Sequence, residues 1–464
     1  MAISSTGLGS GLDVSSIISQ LSALEKQPLK ALQSKATNLQ TQLSAVGTIQ
    51  SQISSVVSAA TKLGSVLNWK GTTATSSNTA ALGVTAATGA AAATYSVEVQ
   101  KLAKAQSVSL PTGPTATPLP TATEQIGAGT LSIQVGTKAA VDITINSGEG
   151  TLAQIANKIN STSGLGVSAS VLTDGSGKVN LILRATDTGT AGAFNVTVTE
   201  GAGVGSNLSR LATANMTQNQ AAQNAEATIN GVAVTSPKNT LTEVLGGLTL
   251  NLNQVTTAPV EVVVAKDTGS IKKNIEEFIT AYNTLNATLS DATAYDASSK
   301  TAGPLQGDSV TNGLQRAFRG LLSSVNNTGS TFSRLADVGI TAQLGGALSL
   351  NSTKLTAAFS DVENVQKLFT NFGGTDSTNG FGVRIKDFAN GLLSASGAVT
   401  NKTNAVKKAI DNNATEQTKI SNRATLVEER LKKQYTALDT KMASLTALNA
   451  YVAQQVTTWN KSTG

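Results

Sequence analysis

Apolar residues recur every seven positions at both ends of this chain. Near the N-terminus the series is Leu32, Leu39, Val46, Ile53, Ala60 and Leu67, with Ala36, Leu43 and Val57 four residues after three of them. A seven-residue apolar repeat lays one seam of a helix against a partner helix. The pattern predicts helix over 14–26 and 28–67, with Pro28 at a kink or a fresh start. The C-terminus repeats the design with Ala424, Leu431, Leu438, Leu445, Val452 and Trp459. Ile420, Val427 and Leu448 hold the companion position there, and Gln434, Lys441 and Gln455 interrupt it. No proline falls between 401 and 460, and no glycine between Gly397 and Gly464, so one long helix is expected. Seams of this length must be covered. Their placement at both ends favours two helices that pair with each other or with partner chains over two ordinary bundle helices. The interruptions at Gln50, Gly64, Gln434 and Lys441 either weaken a permanent coiled coil or simply face solvent.

Between these helices the period changes to two. Runs such as "TYSVEVQKL" (94–102), "TLSIQVG" (130–136), "VDITINS" (141–147), "VNLILRAT" (179–186), "FNVTVTE" (194–200) and "GLTLNLNQ" (247–254) alternate and are bounded by Gly and Asn. Such runs predict half-buried strands of antiparallel sheets. One short amphipathic helix is expected at "TLAQIANKINS" (151–161), and Phe194 is the only aromatic from 96 to 277, so these cores must use small aliphatic side chains. Four prolines, Pro111, Pro114, Pro118 and Pro120, mark a linker or surface loop, and a polar irregular stretch lies near 213–225. The two bracket a domain inserted into another domain, and strands resume over 226–265. From Phe278 to Phe388 ten aromatics occur in 111 residues, with helical stretches at 270–290, 308–324, 353–372 and 382–395.

The fold class that follows is multidomain α+β. Long coiled-coil-type helices at both termini pair into a leg or stalk beside a mostly helical domain, and two antiparallel β-rich head domains nest as insertions. The expected divisions are 1–40 plus 430–464 as terminal leg segments, flexible in the free protomer, and 41–70 plus 270–429 as a helical stalk domain. Residues 71–105 plus 226–269 are expected to form a β head domain, and 106–225 an inserted β head domain.

Composition narrows the chemistry. The chain has 464 residues with no cysteine and no histidine, is 40% hydrophobic, and is only 3% aromatic and 13% charged. Disulfides, thiolate metal sites and cysteine nucleophiles are excluded, and the usual general base and commonest metal ligand are missing. An enzyme would be left with carboxylate or lysine chemistry, so no catalytic, cofactor or metal residue is expected. No run of 18 apolar residues exists to span a membrane, and the N-terminus lacks the basic and apolar regions of a secretory signal. The net charge of +6 gathers at the ends, with ten Lys/Arg against five Asp/Glu over 401–464 and five against two over 1–70. No aromatics interleave as a nucleic-acid platform would need, so a solvated helix face explains the excess better.

Three short motifs suggest chemistry and then fail. "SSTGLGSGLD" carries Gly7, Gly9 and Gly11, but a dinucleotide loop needs G-x-G-x-x-G after a strand. Asp13 instead reads as the N-cap of the following helix. "GDSV" (307–310) resembles a serine hydrolase word, but without histidine that triad cannot be completed. "DGSGK" (174–178) lacks the carboxylate count of a calcium loop and reads as a hairpin turn.

The opening "ISSTGLGSGLDVSSIISQLSALEKQPLKALQSKATNLQTQLSAVGTIQSQI" resembles the N-terminal signature of the flagellar filament cap family, also called hook-associated protein 2. "GDSVTNGLQRAFRGLL" with "LADVGITAQLGGALSLNSTKLTAAFSDVENVQKLF", within 307–369, is similar to that family's C-terminal signature. Residues 226–252 resemble its head domain, and 126–200 a flagellin/hook insertion motif. The resemblance covers essentially the whole chain, most specifically 3–60 and 307–369. It implies export through the flagellar type III channel without a cleavable signal, a homo-oligomeric ring at the distal filament tip, and flagellin as partner. It also implies a cytoplasmic export chaperone on the C-terminal helix, and neither nucleic-acid binding nor membrane insertion. On this reading Gly7, Gly9, Gly11, Leu12 and Asp13 form an export leader and leg joint. The seam residues Leu32, Leu39, Leu43, Val46, Ile53, Leu431, Leu438, Leu445, Val452 and Trp459 pair the leg and touch flagellin. Another axial flagellar protein, such as a hook–filament junction protein, shares the plan, and an adhesin role of the head domains is a further alternative.

Overall fold

The computed structural model describes residues 13–114, 116–201 and 207–462. Gly7, Gly9, Gly11 and Leu12 lie outside the described residues. The chain opens with α1 (Val14–Glu25) and α2 (Gln27–Gly64). Asp13 caps α1, its carboxylate accepting from the Ser16 N–H at 3.0 Å and the Ser15 hydroxyl at 2.8 Å. Pro28 sits in the first turn of α2, where a missing N–H has no helical partner to lose.

The strands follow: β1 (Thr72–Ser76), β2 (Leu82–Ala86), β3 (Ala93–Lys101), β4 (Ser107–Ser109), β5 (Gly129–Val135) and β6 (Val141–Ile145). After α3 (Leu152–Ser161) come β7 (Val167–Thr173), β8 (Val179–Ala185), β9 (Phe194–Glu200), β10 (Thr217–Gln220) and β11 (Ala225–Ile229). β12 (Val232–Ser236), β13 (Thr240–Leu245), β14 (Leu248–Leu252) and β15 (Val260–Lys266) complete the run. Helices then return: α4 (Thr268–Thr293), the hairpin β16 (Tyr295–Asp296) and β17 (Thr301–Ala302), α5 (Ser309–Ser323), and the hairpin β18 (Ile340–Ala342) and β19 (Leu348–Leu350). Last come α6 (Ser352–Ala358), α7 (Val362–Thr370), α8 (Phe381–Leu393) and α9 (Ala398–Ser462). The chain divides into two compact units, 69–268 and the flanking 1–68 with 269–464.

The β unit is entirely antiparallel and nested. Its outer part pairs strands in the order β1-β15-β3-β11-β12, with a second sheet β13-β14-β2, around Leu82, Val97, Val99, Leu250 and Val262. Its inserted part has sheets β10-β4-β8-β7 and β6-β5-β9 around Val108, Leu131, Ile133, Ile155, Leu181 and Phe194. Both cores are aliphatic apart from Phe194 in the inserted one and Tyr95 against the outer one, as the scarcity of aromatics requires. The insertion enters and leaves at one point: Lys104 and Gln223 exchange backbone hydrogen bonds of 2.8 and 3.1 Å.

Asparagine side chains stand in for missing strand partners. Asn239 donates to the Ala103 carbonyl at 3.0 Å and accepts from its N–H at 2.7 Å. Asn160 treats Ala169 on edge strand β7 the same way, at 2.7 and 2.8 Å. An amide side chain repeats the donor–acceptor pair of a peptide, so it closes a strand edge that would otherwise stay open.

In the helical unit α2 packs against α8 and α9. Its buried positions are Val46, Ile49, Ile53, Val56, Ala60 and Leu63. The companions of the seven-residue series therefore come three residues later, not four; Val57 is only half-buried and Gln50 is exposed. A helix covered by two neighbours buries the alternating three–four stripe that faces the cleft between them. Leu67 lies beyond α2 and is 70% exposed. Gly64 is no weak point of the seam: it is where α8 crosses. A Cβ on Gly382 would stand 2.5 Å from the Gly64 backbone nitrogen, so only glycine permits this approach. Three aromatics of the unit pack on one another, with Phe318 edge-on to Phe388 at 5.0 Å and tilted against Tyr282 at 6.3 Å.

Candidate assembly surfaces

The terminal helices meet in antiparallel register. Asn413 and Gln417 donate to the Leu32 carbonyl at 3.0 and 3.4 Å, Arg423 pairs with Glu25 at 3.2 Å, and Ser22 donates to Glu428 at 3.3 Å. Residue numbers on α1 and α2 fall as those on α9 rise. The structure thus brings α1 and the N-terminal half of α2, with Leu32, onto the C-terminal helix, and α2 packs on α8 as well. Val46 and Ile53 are buried, whereas Leu32, Leu39, Leu43 and Leu431 are half-buried. Ala424 and Val14 are closed off, at 0% and 2% exposure.

By the same register Asp13 lies level with about residue 437 of α9. Beyond that level the helix continues through Ser462, and every residue from 440 to 460 is exposed. Leu438, Leu445, Val452 and Trp459 are 45%, 58%, 49% and 74% exposed. Met442 and Val456, four residues after Leu438 and Val452, line the same stripe at 39% and 49% exposure. The expected companion Leu448 lies three residues after Leu445 and is also exposed. The signal that would have found Met442 and Val456 is Tyr435, four after Leu431, which shows the same offset one heptad earlier.

A second surface escaped the sequence pattern. The β18–β19 hairpin carries Leu344 at its tip, fully exposed. The turn beneath it is tied down. The Tyr282 hydroxyl donates to the Gly346 carbonyl at 2.9 Å, Asn286 to the Gly345 carbonyl at 3.1 Å, and the Arg319 guanidinium to that same carbonyl. Burial pushes the Tyr282 phenol above its ordinary value, so it stays a neutral donor. Phe372, in the loop after α7, is 78% exposed.

The motifs that resembled active-site words are structural. Gly307 turns with φ +72° and Asp308 caps α5, accepting from the Thr311 N–H at 2.9 Å and its hydroxyl at 2.8 Å while pairing with Lys402 of α9. Burial raises the Asp308 carboxyl, but Lys402 and Thr311 together hold it below its ordinary value. Asp174 closes the β7–β8 turn, accepting from Ser176 and Lys178. Among the described residues no group of three acidic side chains could hold a metal, and no helix is long and apolar enough to cross a membrane.

A chain whose N-terminal helices pair with its long C-terminal helix, and whose middle nests one antiparallel β domain inside another, has a multidomain α+β fold with a paired helical leg. Comparison with known proteins places it further. Residues 10–106 match the model of the flagellar hook-associated protein 2 N-terminus, 222–447 that of its C-terminus, and 130–187 the flagellin hook IN motif. The chain is 33% identical to flagellar hook-associated protein 2 of Escherichia coli K12, over 98% of both chains. It is 31% identical to the B-type protein of Pseudomonas aeruginosa PAO1, over 96% of both. The crystal structure of the Escherichia coli flagellar cap protein FliD, domains D1-D2-D3, superposes with a TM-score of 0.56 at 31% identity, covering 78% of this chain and 99% of that one. The chain belongs to the flagellar hook-associated protein 2 family.

Proposed function

We propose that this protein caps the distal tip of a bacterial flagellar filament, outside the cell, as a structural subunit without catalytic work. The observation that carries the reading is end-to-end likeness to cap proteins in a chain whose two termini pair as one helical leg. Several copies close a ring by head-to-tail contact. The described parts of segments 1–40 and 430–464 act as legs against flagellin, with 41–70 plus 270–429 as the stalk above them. Residues 71–105 plus 226–269 and the inserted 106–225 form the plate. The ring retains exported flagellin beneath it, and a leg yields its place as each new subunit enters. Such exchange needs weak contacts, and the thin cover over Leu32, Leu39 and Leu431 supplies them. A reduced chain without cysteine suits export in the unfolded state without a cleavable signal, with Gly7, Gly9 and Gly11 in the leader and a cytoplasmic chaperone on the C-terminal helix until then.

Gold-labelled antibody on intact flagella tests the reading. Label confined to distal tips is expected. Label at the filament base would make the protein a junction subunit, and label along the filament would make it a flagellin; either would end the cap assignment.

A further inference from the structure

The exposed end of α9 has an order that a docking stripe for an arbitrary partner does not need. After the half-buried Tyr435 its stripe positions alternate by four and three residues, Leu438, Met442, Leu445, Asn449, Val452 and Val456, all apolar except Asn449. Written as heptads, Leu438, Leu445 and Val452 take d, while Tyr435, Met442, Asn449 and Val456 take a. One polar residue interrupts the stripe, and it is an asparagine at a. That arrangement, with leucine at successive d positions, favours two parallel strands in fixed register, because only there do the two Asn449 amides meet and hydrogen-bond. In an antiparallel pair a faces d, and each asparagine would be pressed against an apolar side chain.

We infer that α9 pairs through this stripe with the same stretch of a second copy of the chain, as a parallel, in-register two-stranded coiled coil over about residues 435–456. The flanking positions agree. A g residue of one strand faces the e residue five positions on in the other, which brings together Gln434 with Asp439, Lys441 with Thr446, and Leu448 with Ala453. No like charges meet, and the last pair widens the apolar seam. About three heptads of helix with a buried asparagine make a weak, reversible association, so it depends on protein concentration. The inference rests on the pattern and exposure of α9 and not on the cap reading.

Cysteine cross-linking of the full-length chain tests it on a clean background, since the protein has no cysteine. Leu438→Cys and Val452→Cys each place one thiol at d, and Ala447→Cys places one on the outward f position. Under mild oxidation both d variants are expected to form disulfide-linked dimers, and Ala447→Cys is not. An antiparallel pair can bring at most one of the two d positions onto its own copy, so a dimer from only one of them overturns the parallel register. If α9 is covered by its own chain or reserved for a different protein, neither d variant cross-links and the inference fails. Sedimentation of Asn449→Leu gives an independent readout. Its self-association should tighten and spread to higher oligomers, and an unchanged distribution would count against the asparagine pairing.

Discussion

At the scale of single residues, this fold relies on side-chain amides where a richer core would rely on packing. Asn239 satisfies both backbone groups of Ala103, a residue 136 positions away that is 5% exposed. Asn283 does the same for Leu348, at 2.9 and 2.7 Å. Removing such an amide strands a buried N–H and a buried carbonyl together. Asn239→Ala is therefore expected to lower unfolding free energy by about 1–3 kcal/mol, measured by urea titration. A loss below about 0.5 kcal/mol would mean that water replaces the amide. Asp308 works by charge as well as by hydrogen bonding. Its carboxyl is held below the ordinary value of 3.8, so its contribution is fully present above that pH and fades as pH falls through the lower folded value. Asp308→Ala should cost about 1–2 kcal/mol at neutral pH through loss of the α5 cap, and Asp308→Asn less, because asparagine also caps. If the two variants lose equally, the pairing with Lys402 outweighs the cap.

Among the elements, burial falls in steps along the paired termini. Val46 to Leu63 are closed on α2, Leu32 to Leu43 are half-covered, and α9 beyond residue 440 is bare. Amide exchange in dilute, monomeric protein should follow that order, slow over 46–63, faster over 14–40 and fastest over 440–460. Uniform protection along α9 would contradict it. Substitution should follow the same gradient: Ile53→Ala is expected to cost about 2–5 kcal/mol by leaving a cavity. Leu445→Ala, on a half-exposed position, should stay within about 0.5 kcal/mol in the monomer. The seven-residue series announced α2 and α9 in the sequence, and alternation announced β3, β5, β8, β9 and β14 to within a residue or two. The companion side of the α2 seam was not legible, because two covering helices set it and neither is local in sequence. The β18–β19 hairpin, with Leu344 at its tip, escaped for a related reason. Three-residue strands carry too few alternations to read, and the groups that pin the turn, Tyr282, Asn286 and Arg319, come from α4 and α5. Asn239 with Ala103 could not be read either, since a pairing across 136 positions leaves no periodic trace.

For the molecule as a whole, nesting means that one β domain is a detour in the chain of another. The detour begins and ends at adjacent points, because Lys104 and Gln223 are already joined through their backbones. Its core, from Ala105 to Met216, is separate from the outer one, which runs from Leu82 to Ala103 and from Ala225 to Val262. Closing the outer domain without the insertion therefore requires only a short bridge between residues that nearly touch, and loop closure over such a span costs little. The insertion does lend the outer domain some contacts. Thr188 donates to the Pro237 carbonyl at 2.6 Å, and Asn224 accepts from the Thr190 N–H at 2.8 Å. These lie at the junction and touch no residue of the outer core. Replacing 107–220 by a two- or three-residue glycine–serine turn is thus expected to remove one calorimetric transition and leave the others within a few degrees of their original positions. Nor should it alter the pairing of α1 and α2 with α9, which lies in the other unit. Collapse of every transition together would mean that the two β domains fold as one cooperative body, and that the insertion has become part of the core it interrupts.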